Sequence, residues 1–509
     1  MLYAGAKCCK VLGSIGDRLR IFADNGLIKT GADVAKTEFD IVVIGGGAGG
    51  LVVAAGGAAL GAKVALVEKH KMGGDCLNYG CVPSKTLLKS AKVAHLMRTA
   101  ADYNIPPHAP SPDIGHVMER VAAVIRGIEP NDSPERFRGL GVDVSFGEGK
   151  FISPECFEVN GRKLTARTFV IATGSRAGIP PIPGINDVPF LTNETIFDLR
   201  EPVPSLIVIG SGPIGCEMSQ AFTRLGTKVT VVDMAAQIMP REDPDLSRIV
   251  QHQMEKEGVA FNFNVSIIKI EGGKHDIRMF IKNKDGAEKS LQATHLLVAA
   301  GRRANVEGLG LEAAAVEVDK GRIVCDETLR TTNPHVFLCG DVAGGPQFTH
   351  VAGHHAGVLL RQAIFRMRWA KPSVHVPWCT YTDPELARIG LSEAEAAKSG
   401  VAYKVYKFGY EEIDRARTEG ETEGFAKVIT DSKGKILGAA IVGPHAGEVI
   451  HEYVLAVNKG MNLKELSGII HIYPTFAEIN KRVADQRLKE GLTPSSKTWI
   501  KRIFGLRGT

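Results

Sequence analysis

No run of apolar residues in this 509-residue chain approaches the ~18–20 needed to cross a bilayer as a helix. The opening stretch, Met1 to Lys10, also lacks a basic segment followed by an apolar core. Both absences lead us to expect a cytoplasmic protein. Nine cysteines at scattered spacings do not make a secreted disulfide framework, and a reducing compartment suits any thiol pair that must be cycled. There is no collagen-like period and no low-complexity tract. The net charge of +6 is local: from residue 481 onward Lys481, Arg482, Arg487, Lys489, Lys497, Lys501, Arg502 and Arg507 face only Asp485 and Glu490. The rest of the chain is near neutral, which gives no support to a nucleic-acid role. Glycine, by contrast, is abundant at 57 residues, as repeated tight turns and close cofactor contacts require.

The glycines fall into two matching patterns. Phe39-Asp-Ile-Val-Val-Ile44 reads as a buried parallel strand running into Gly45-Gly-Gly47-Ala-Gly-Gly50. In that fingerprint Gly45 allows the turn, Gly47 lets backbone approach a pyrophosphate, and Gly50 lets helix pack on strand. The next strand, Val64 to Glu68, ends in an acid 23 positions after Gly45, suited to a ribose hydroxyl. Ser205 to Gly210 opens a second unit with Gly210, Gly212 and Gly215, and Asp233 again follows 23 positions after the first glycine. Two dinucleotide sites in one chain follow from this repeat. After Pro372 the pattern changes to short strands and helices, including a hairpin from Ala426–Thr430 through Asp431-Ser-Lys-Gly434 into Ile436–Ile441.

Between the two units lies Gly73-Gly74-Asp75-Cys76-Leu77-Asn78-Tyr79-Gly80-Cys81-Val82-Pro83-Ser84-Lys85. Two cysteines with four residues between them can close a disulfide when the second sits in the first turn of a helix, where the macrodipole favours a thiolate. Val82-Pro83-Ser84-Lys85 suits such a helix start. The alternative is a metal site or two ordinary buried cysteines. A tetrahedral site needs four ligands and no second close pair follows, so no resident metal is expected. The segment therefore reads as a redox-active disulfide beside a flavin. Because it follows the first unit, that unit should hold FAD and the second the nicotinamide. Asp233 accepts from the 2′-OH of NAD and repels a 2′-phosphate, and no arginine immediately follows it, so NADH is expected over NADPH. Arg241 is the nearest opposing feature.

These motifs, together with Ala172-Thr173-Gly174, Ala300-Gly301-Arg302 and Asn333 to Asp341, make residues 39–485 resemble the flavoprotein disulfide reductases, which include dihydrolipoyl dehydrogenase, glutathione reductase and mercuric reductase. The resemblance implies an α/β fold with two Rossmann-like dinucleotide-binding domains and a C-terminal α+β dimerisation domain, working as a homodimer. On this basis 39–188 and 301–372 form the FAD-binding and central domain, 189–300 the NAD(P) domain and 373–488 the interface domain. Residues 1–38 are an appendage and 489–509 a basic amphipathic tail. Carried over, Cys76 is the interchange thiol and Cys81 the flavin-facing, charge-transfer thiolate. Lys85 lies near the flavin and pairs with Glu217. Gly74, Thr173, Gly174 and Asp341 contribute to the FAD site, with Gly149 and Thr349 as backbone contacts, and Gly301 belongs to the NAD site. A cation such as Lys85 beside the disulfide favours the anionic states that electron transfer creates.

The family pattern breaks near the C-terminus. Disulfide-reducing members place a histidine before Pro-Thr and a glutamate five residues later as an acid-base dyad. Here the segment is His471-Ile472-Tyr473-Pro474-Thr475-Phe476-Ala477-Glu478, so a tyrosine holds the dyad position while Glu478 is retained. A phenol titrating near about 10 shuttles a thiol proton poorly. The tyrosine is similar to that of mercuric reductase, whose soft-metal substrate needs no proton for a leaving thiol. This tail, however, carries no vicinal cysteines. The acceptor is therefore a disulfide, a thiol or a thiolate-bound metal. His471 either replaces the missing base, as a dihydrolipoyl dehydrogenase would need, or makes a structural hydrogen bond. Cys8 and Cys9 form a vicinal pair that could hand over a soft metal, or they are inert exposed thiols. In the tail, Trp499, Ile500, Phe504 and Leu506 beside Lys497, Lys501, Arg502 and Arg507 suit either peripheral membrane contact or packing on the chain's own dimer. A membrane-associated electron-delivery partner is the reading from another functional class.

Overall fold

The computed structural model describes residues 37–508. The Cys8–Cys9 pair and nearly all of the 1–38 appendage lie outside them.

The first unit runs β1 (Phe39–Ile44), α1 (Ala48–Ala59), β2 (Val64–Glu68), α2 (Gly74–Asn78) and α3 (Cys81–Arg98). It continues through β3 (Asp143–Phe146), β4 (Gly149–Ser153), β5 (Cys156–Val159) and β6 (Arg162–Ile171). The sheet order is β3-β2-β1-β6-β5-β4, and the late strand Val336–Leu338 pairs with β6. Pairs among β3, β2, β1, β6 and that late strand are parallel, whereas β4, β5 and β6 form an antiparallel meander.

The continuous apolar run of β1 is explained by burial on both faces. Ile41 and Val43 enter one core with Leu51 and Ala54 of α1, while Val42 and Ile44 enter another with Phe151, Phe157 and Phe169. Each such Val or Ile contributes about 1.5–3 kcal/mol relative to exposure.

The second unit repeats the scheme: β7 (Ser205–Ile209), α4 (Pro213–Arg224) and β8 (Lys228–Val232), joined by β9 (Ala260–Asn262) and β10 (His295–Val298) in the parallel order β9-β8-β7-β10. Leu206 and Val208 face a core shared with Phe222 of α4, and Ile207 and Ile209 face one shared with a three-stranded meander through Ile277 and Met279.

The chain returns through α5 (Thr349–Ala363) to a five-stranded antiparallel sheet: β11 (Trp378–Thr380), β12 (Glu385–Gly390), β13 (Tyr403–Gly409), β14 (Phe425–Asp431) and β15 (Ile436–Gly443), ordered β11-β12-β15-β14-β13. β14 and β15 are the hairpin read from the sequence. α6 (Glu478–Lys489) packs Ile479, Val483 and Ala484 into the core of this sheet, and α7 (Pro494–Phe504) ends the chain. No described helix is long and apolar enough to cross a membrane.

Candidate active site

The turn after β1 shows why glycine is required. Gly45 has φ +109°, and a Cβ there would lie 2.4 Å from the Ala172 carbonyl oxygen. A Cβ on Gly50 would lie 1.9 Å from the Gly45 carbonyl oxygen. The second fingerprint repeats both constraints, with Gly210 at φ +104° against Ala299 and Gly215 against Gly210. Gly47 and Gly212 precede α1 and α4 and bring no side chain to cap them, so the first-turn N–H groups are open to an anion. This is the donor set a pyrophosphate fits.

The acids at the ends of β2 and β8 brace these loops. Glu68 accepts from Gly46 N (2.6 Å) and His70 N (2.7 Å). Asp233 accepts from Ser211 N and Oγ (both 2.6 Å) and from Ala235 N (2.8 Å). A carboxylate offers about four acceptor positions, which leaves each acid capacity for a ribose hydroxyl. Met234, directly after Asp233, is 82% exposed and brings no charge to this rim.

The cysteine segment is tied to the first fingerprint rather than the second. Gly73 N donates to Gly46 O (2.9 Å), and Gly74, at φ +56°, lies so close that a Cβ there would be 2.6 Å from Gly47 Cα. Cys76 sits in the short helix α2, an element not anticipated from sequence, and Cys81 begins α3 as expected. Both are free thiols. The Thr349 hydroxyl lies 3.5 Å from Cys81 Sγ, so this residue brings a side chain to the sulfur in addition to any backbone role.

Four residues after Cys81, Lys85 pairs with Glu217 of α4 at 2.8 Å. Glu217 also accepts from Tyr381 N (2.9 Å), and the Lys85 ammonium lies 4.5 Å from the centre of the Tyr381 ring. α4 is fixed in turn by Arg224, which pairs with Glu257 (2.6 Å) and Asp383 (2.8 Å), and by Gln220, which donates to Asp383 O (2.7 Å).

The electrostatics separate the two thiols. A hydrogen bond from Cys76 lowers Cys81 to about 6; burial opposes it, while the Thr349 hydroxyl and the Lys85 cation reinforce it. The same sulfur–sulfur contact, followed by burial, pushes Cys76 upward. For Lys85, burial works against the charge but the Glu217 carboxylate more than restores it, so the ammonium is held above its ordinary range. The arrangement is a dithiol in which Cys81 is the thiolate and Cys76 keeps its proton, with a fixed cation alongside.

Asp341 completes this side. It accepts from Ser175 Oγ (2.6 Å), and Arg302 bridges it (3.8 Å) to Asp75 of the cysteine helix (3.2 Å). Burial raises the Asp341 carboxyl against the opposing pull of Ser175 and Arg302. Thr173 Oγ1 donates to Asn305 O (2.7 Å), and Gly174 and Gly301 take positive φ with open space beside them. Gly149 lies under the Phe157 ring.

The dyad segment stands on the interface-domain surface. Tyr473 is 65% exposed and donates to Asp414 (3.0 Å); that hydrogen bond and then the Asp414 charge raise the phenol. His471 has its Nε2 on Glu452 (2.9 Å) and its Nδ1 on Ile469 O (3.0 Å), with the side chain 8% exposed. Glu478 pairs through Oε1 with Arg482 (2.7 Å), while its Oε2 is buried without a partner among the described residues.

Residues 39–356 match the family model for pyridine nucleotide-disulphide oxidoreductases, and 376–484 match that family's dimerisation domain. The chain is 33% identical over 448 residues to a mercuric reductase of Bacillus cereus, covering 88% of this chain and 71% of that one. It is 34% identical over 457 residues to a dihydrolipoyl dehydrogenase of Bacillus subtilis (strain 168), covering 87% and 96%. Among solved structures, the HOCl-induced flavoprotein disulfide reductase RclA from Escherichia coli superposes with TM-score 0.77 at 27% identity, covering 87% of this chain and 99% of that one.

Proposed function

Because the chain belongs to the pyridine nucleotide-disulphide oxidoreductases, which work with FAD and NAD(P)H, we propose that it is an NADH-driven homodimeric reductase of a thiolate-bound soft metal ion or a disulfide, with Cys76 and Cys81 as its redox pair. When bound, FAD accepts a hydride from the nicotinamide coenzyme and supplies the electron pair that opens the disulfide. The residues of this chain do the rest. Glu68 and the α1 amides hold the first nucleotide, and Asp233 and the α4 amides hold the second. Cys81 retains the thiolate beside Lys85 and Thr349, and Cys76 meets the acceptor. The observation that carries this reading is the placement of Cys76 and Cys81 against the first fingerprint, with the Thr349 hydroxyl and the Lys85–Glu217 pair alongside.

The acceptor follows from the dyad segment. Tyr473 is a phenol raised above its ordinary value, and both ring nitrogens of His471 already have partners within the protomer. A raised phenol is a poor proton shuttle near neutral pH and His471 is held within the protomer, which favours an acceptor whose release needs no proton, such as a soft metal ion held by the two thiolates. Ile470 (96% exposed), Ile472 (79%) and Tyr473 form an apolar edge of the dimerisation domain that a second copy would cover. Steady-state turnover with Hg(II), lipoamide, oxidised glutathione and a quinone, measured side by side, tests the reading; lipoamide or glutathione disulfide as the best acceptor would reverse the preference for a metal ion, and a quinone as the best acceptor would overturn the reading.

Two further results are expected. Replacing Asp233 with Asn should narrow the preference for NADH over NADPH by removing the charge that repels a 2′-phosphate, and an unmodified enzyme that already prefers NADPH would contradict this. Replacing Lys85 with Met should move the pH midpoint for appearance of the Cys81 thiolate upward from about 6. Loss of a nearby opposite charge is worth about 1–3 pH units. The thiolate signal should then fall at neutral pH and be regained in base.

A further inference from the structure

The final helix, α7, is well specified yet stands largely uncovered among the described residues. The Thr493 side chain accepts from Ser496 N (3.1 Å), Pro494 occupies the first turn and Gly505 closes the helix in the left-handed conformation, but none of its residues is buried. At 3.6 residues per turn, Trp499, Ile500, Ile503 and Phe504 share one face. Trp499, Ile503 and Phe504 are 61%, 67% and 71% exposed. Ser496, the polar residue within that face, turns its hydroxyl back to Gly491 O (2.8 Å) and Thr493 O (2.9 Å). Lys497 and Arg502 flank the face, and residues 491–509 contain no acid.

The root of the helix carries an independent feature. An open pocket of about 650 Å³ ends at Gly491, lined by Lys404, Lys433, Lys464 and Arg487 against one carboxylate, Glu490. Glu490 is already shared between Lys404 (2.9 Å) and Arg487. The pocket therefore keeps a positive excess of headgroup size beside an apolar helix face. Leu488 in the last turn of α6 and Leu492 on the connecting segment are exposed as well.

We propose that α7 and this pocket form a docking surface for an anionic phospholipid membrane, with the Trp499–Phe504 face at the acyl boundary and the lysines of the pocket on headgroup phosphates. A bilayer supplies both the apolar layer and the anions that this surface lacks. Self-pairing of α7 would instead bring two sets of cations together with no acid in the segment to meet them. The surface is separate from the redox site and does not depend on the choice of electron acceptor.

Cosedimentation of the FAD-loaded protein with phosphatidylglycerol-containing vesicles and with pure phosphatidylcholine vesicles tests this, with sedimentation velocity in parallel. The parent should bind the anionic vesicles in a salt-sensitive way and ignore the neutral ones. Deleting residues 494–509, or combining Ile503→Ala with Phe504→Ala, should reduce binding about tenfold or more while leaving NADH oxidase activity and dimer mass unchanged. Trp499 fluorescence should shift to the blue on binding, and Trp499→Phe should remove that shift. Lys433→Glu with Lys464→Glu should weaken binding to anionic vesicles; unchanged binding would remove the pocket from the proposal. Absence of parental binding at low salt, equal binding to neutral vesicles, or full binding after the deletion would overturn it. So would conversion of the deleted protein to monomers, which would assign α7 to a second copy of the chain.

Discussion

The FAD-loaded Cys76→Ser protein should show a long-wavelength thiolate-to-flavin absorption band at neutral pH with no reductant added, while Cys81→Ser should show none under any reduction. With Cys76 gone no disulfide can form, and the remaining sulfur keeps the Thr349 hydroxyl at 3.5 Å and the Lys85 cation. A serine at position 76 can still donate the hydrogen bond that contributes most to lowering Cys81. With Cys81 near about 6, most of it is ionised at neutral pH, and the band should fade as the pH falls through that value because protonation removes the donor. Both variants should lose acceptor reduction by orders of magnitude, since neither retains a pair to cycle. A band in Cys81→Ser, or its absence in Cys76→Ser across pH 7–9, would exchange the two roles.

Tyr473→His should raise turnover with lipoamide or another disulfide by roughly 10²–10⁴-fold, the range a positioned acid-base group supplies. The site is prepared for it: Glu478 Oε2 is buried without a partner among the described residues, and the Glu478 charge reaches Tyr473. An imidazole at position 473 would gain a carboxylate to orient it, whereas the present phenol is turned to Asp414. Metal-ion reduction should change little, because the thiolates hold that substrate without a leaving thiol. If Tyr473→His brings no gain while His471→Ala causes a large loss, the proton traffic runs through His471 despite its contacts with Glu452 and Ile469.

What could be read from the chain beforehand divides along sequence distance. The two fingerprints, the acids after them, the start of α3 at Cys81 and the β14–β15 hairpin are local patterns, in which spacing and glycine placement express the backbone geometry directly. Contacts closed by the fold are different. Thr349 meets Cys81 across 268 residues, and Arg302 reaches Ser175 across 127 and bridges Asp341 to Asp75. Nothing in those residue types announces the pairing. The Lys85–Glu217 pair was reachable only because each stands in a motif with a fixed place in the family. His471 shows the limit most clearly: two residues from the dyad position, it reads either as a displaced base or as a structural hydrogen-bonding residue, and nothing in the sequence announces its Glu452 partner at 2.9 Å. The tail's amphipathic pattern is visible in Trp499, Ile500, Phe504 and Leu506, but the helix also presents Ile503, and the basic pocket at its root draws on Lys404, Lys433 and Lys464 from elements distant in sequence.

The central claim is that Cys76 and Cys81 form a second electron-pair store in contact with the flavin. Anaerobic titration with NADH, followed by flavin absorbance, tests it most directly. The parent should take up about twice the reducing equivalents per FAD that Cys81→Ser takes up, because a disulfide holds one electron pair beyond the flavin's own, and the first half of that uptake should produce the long-wavelength band. Equal uptake by parent and variant, with direct bleaching and no band, would contradict it.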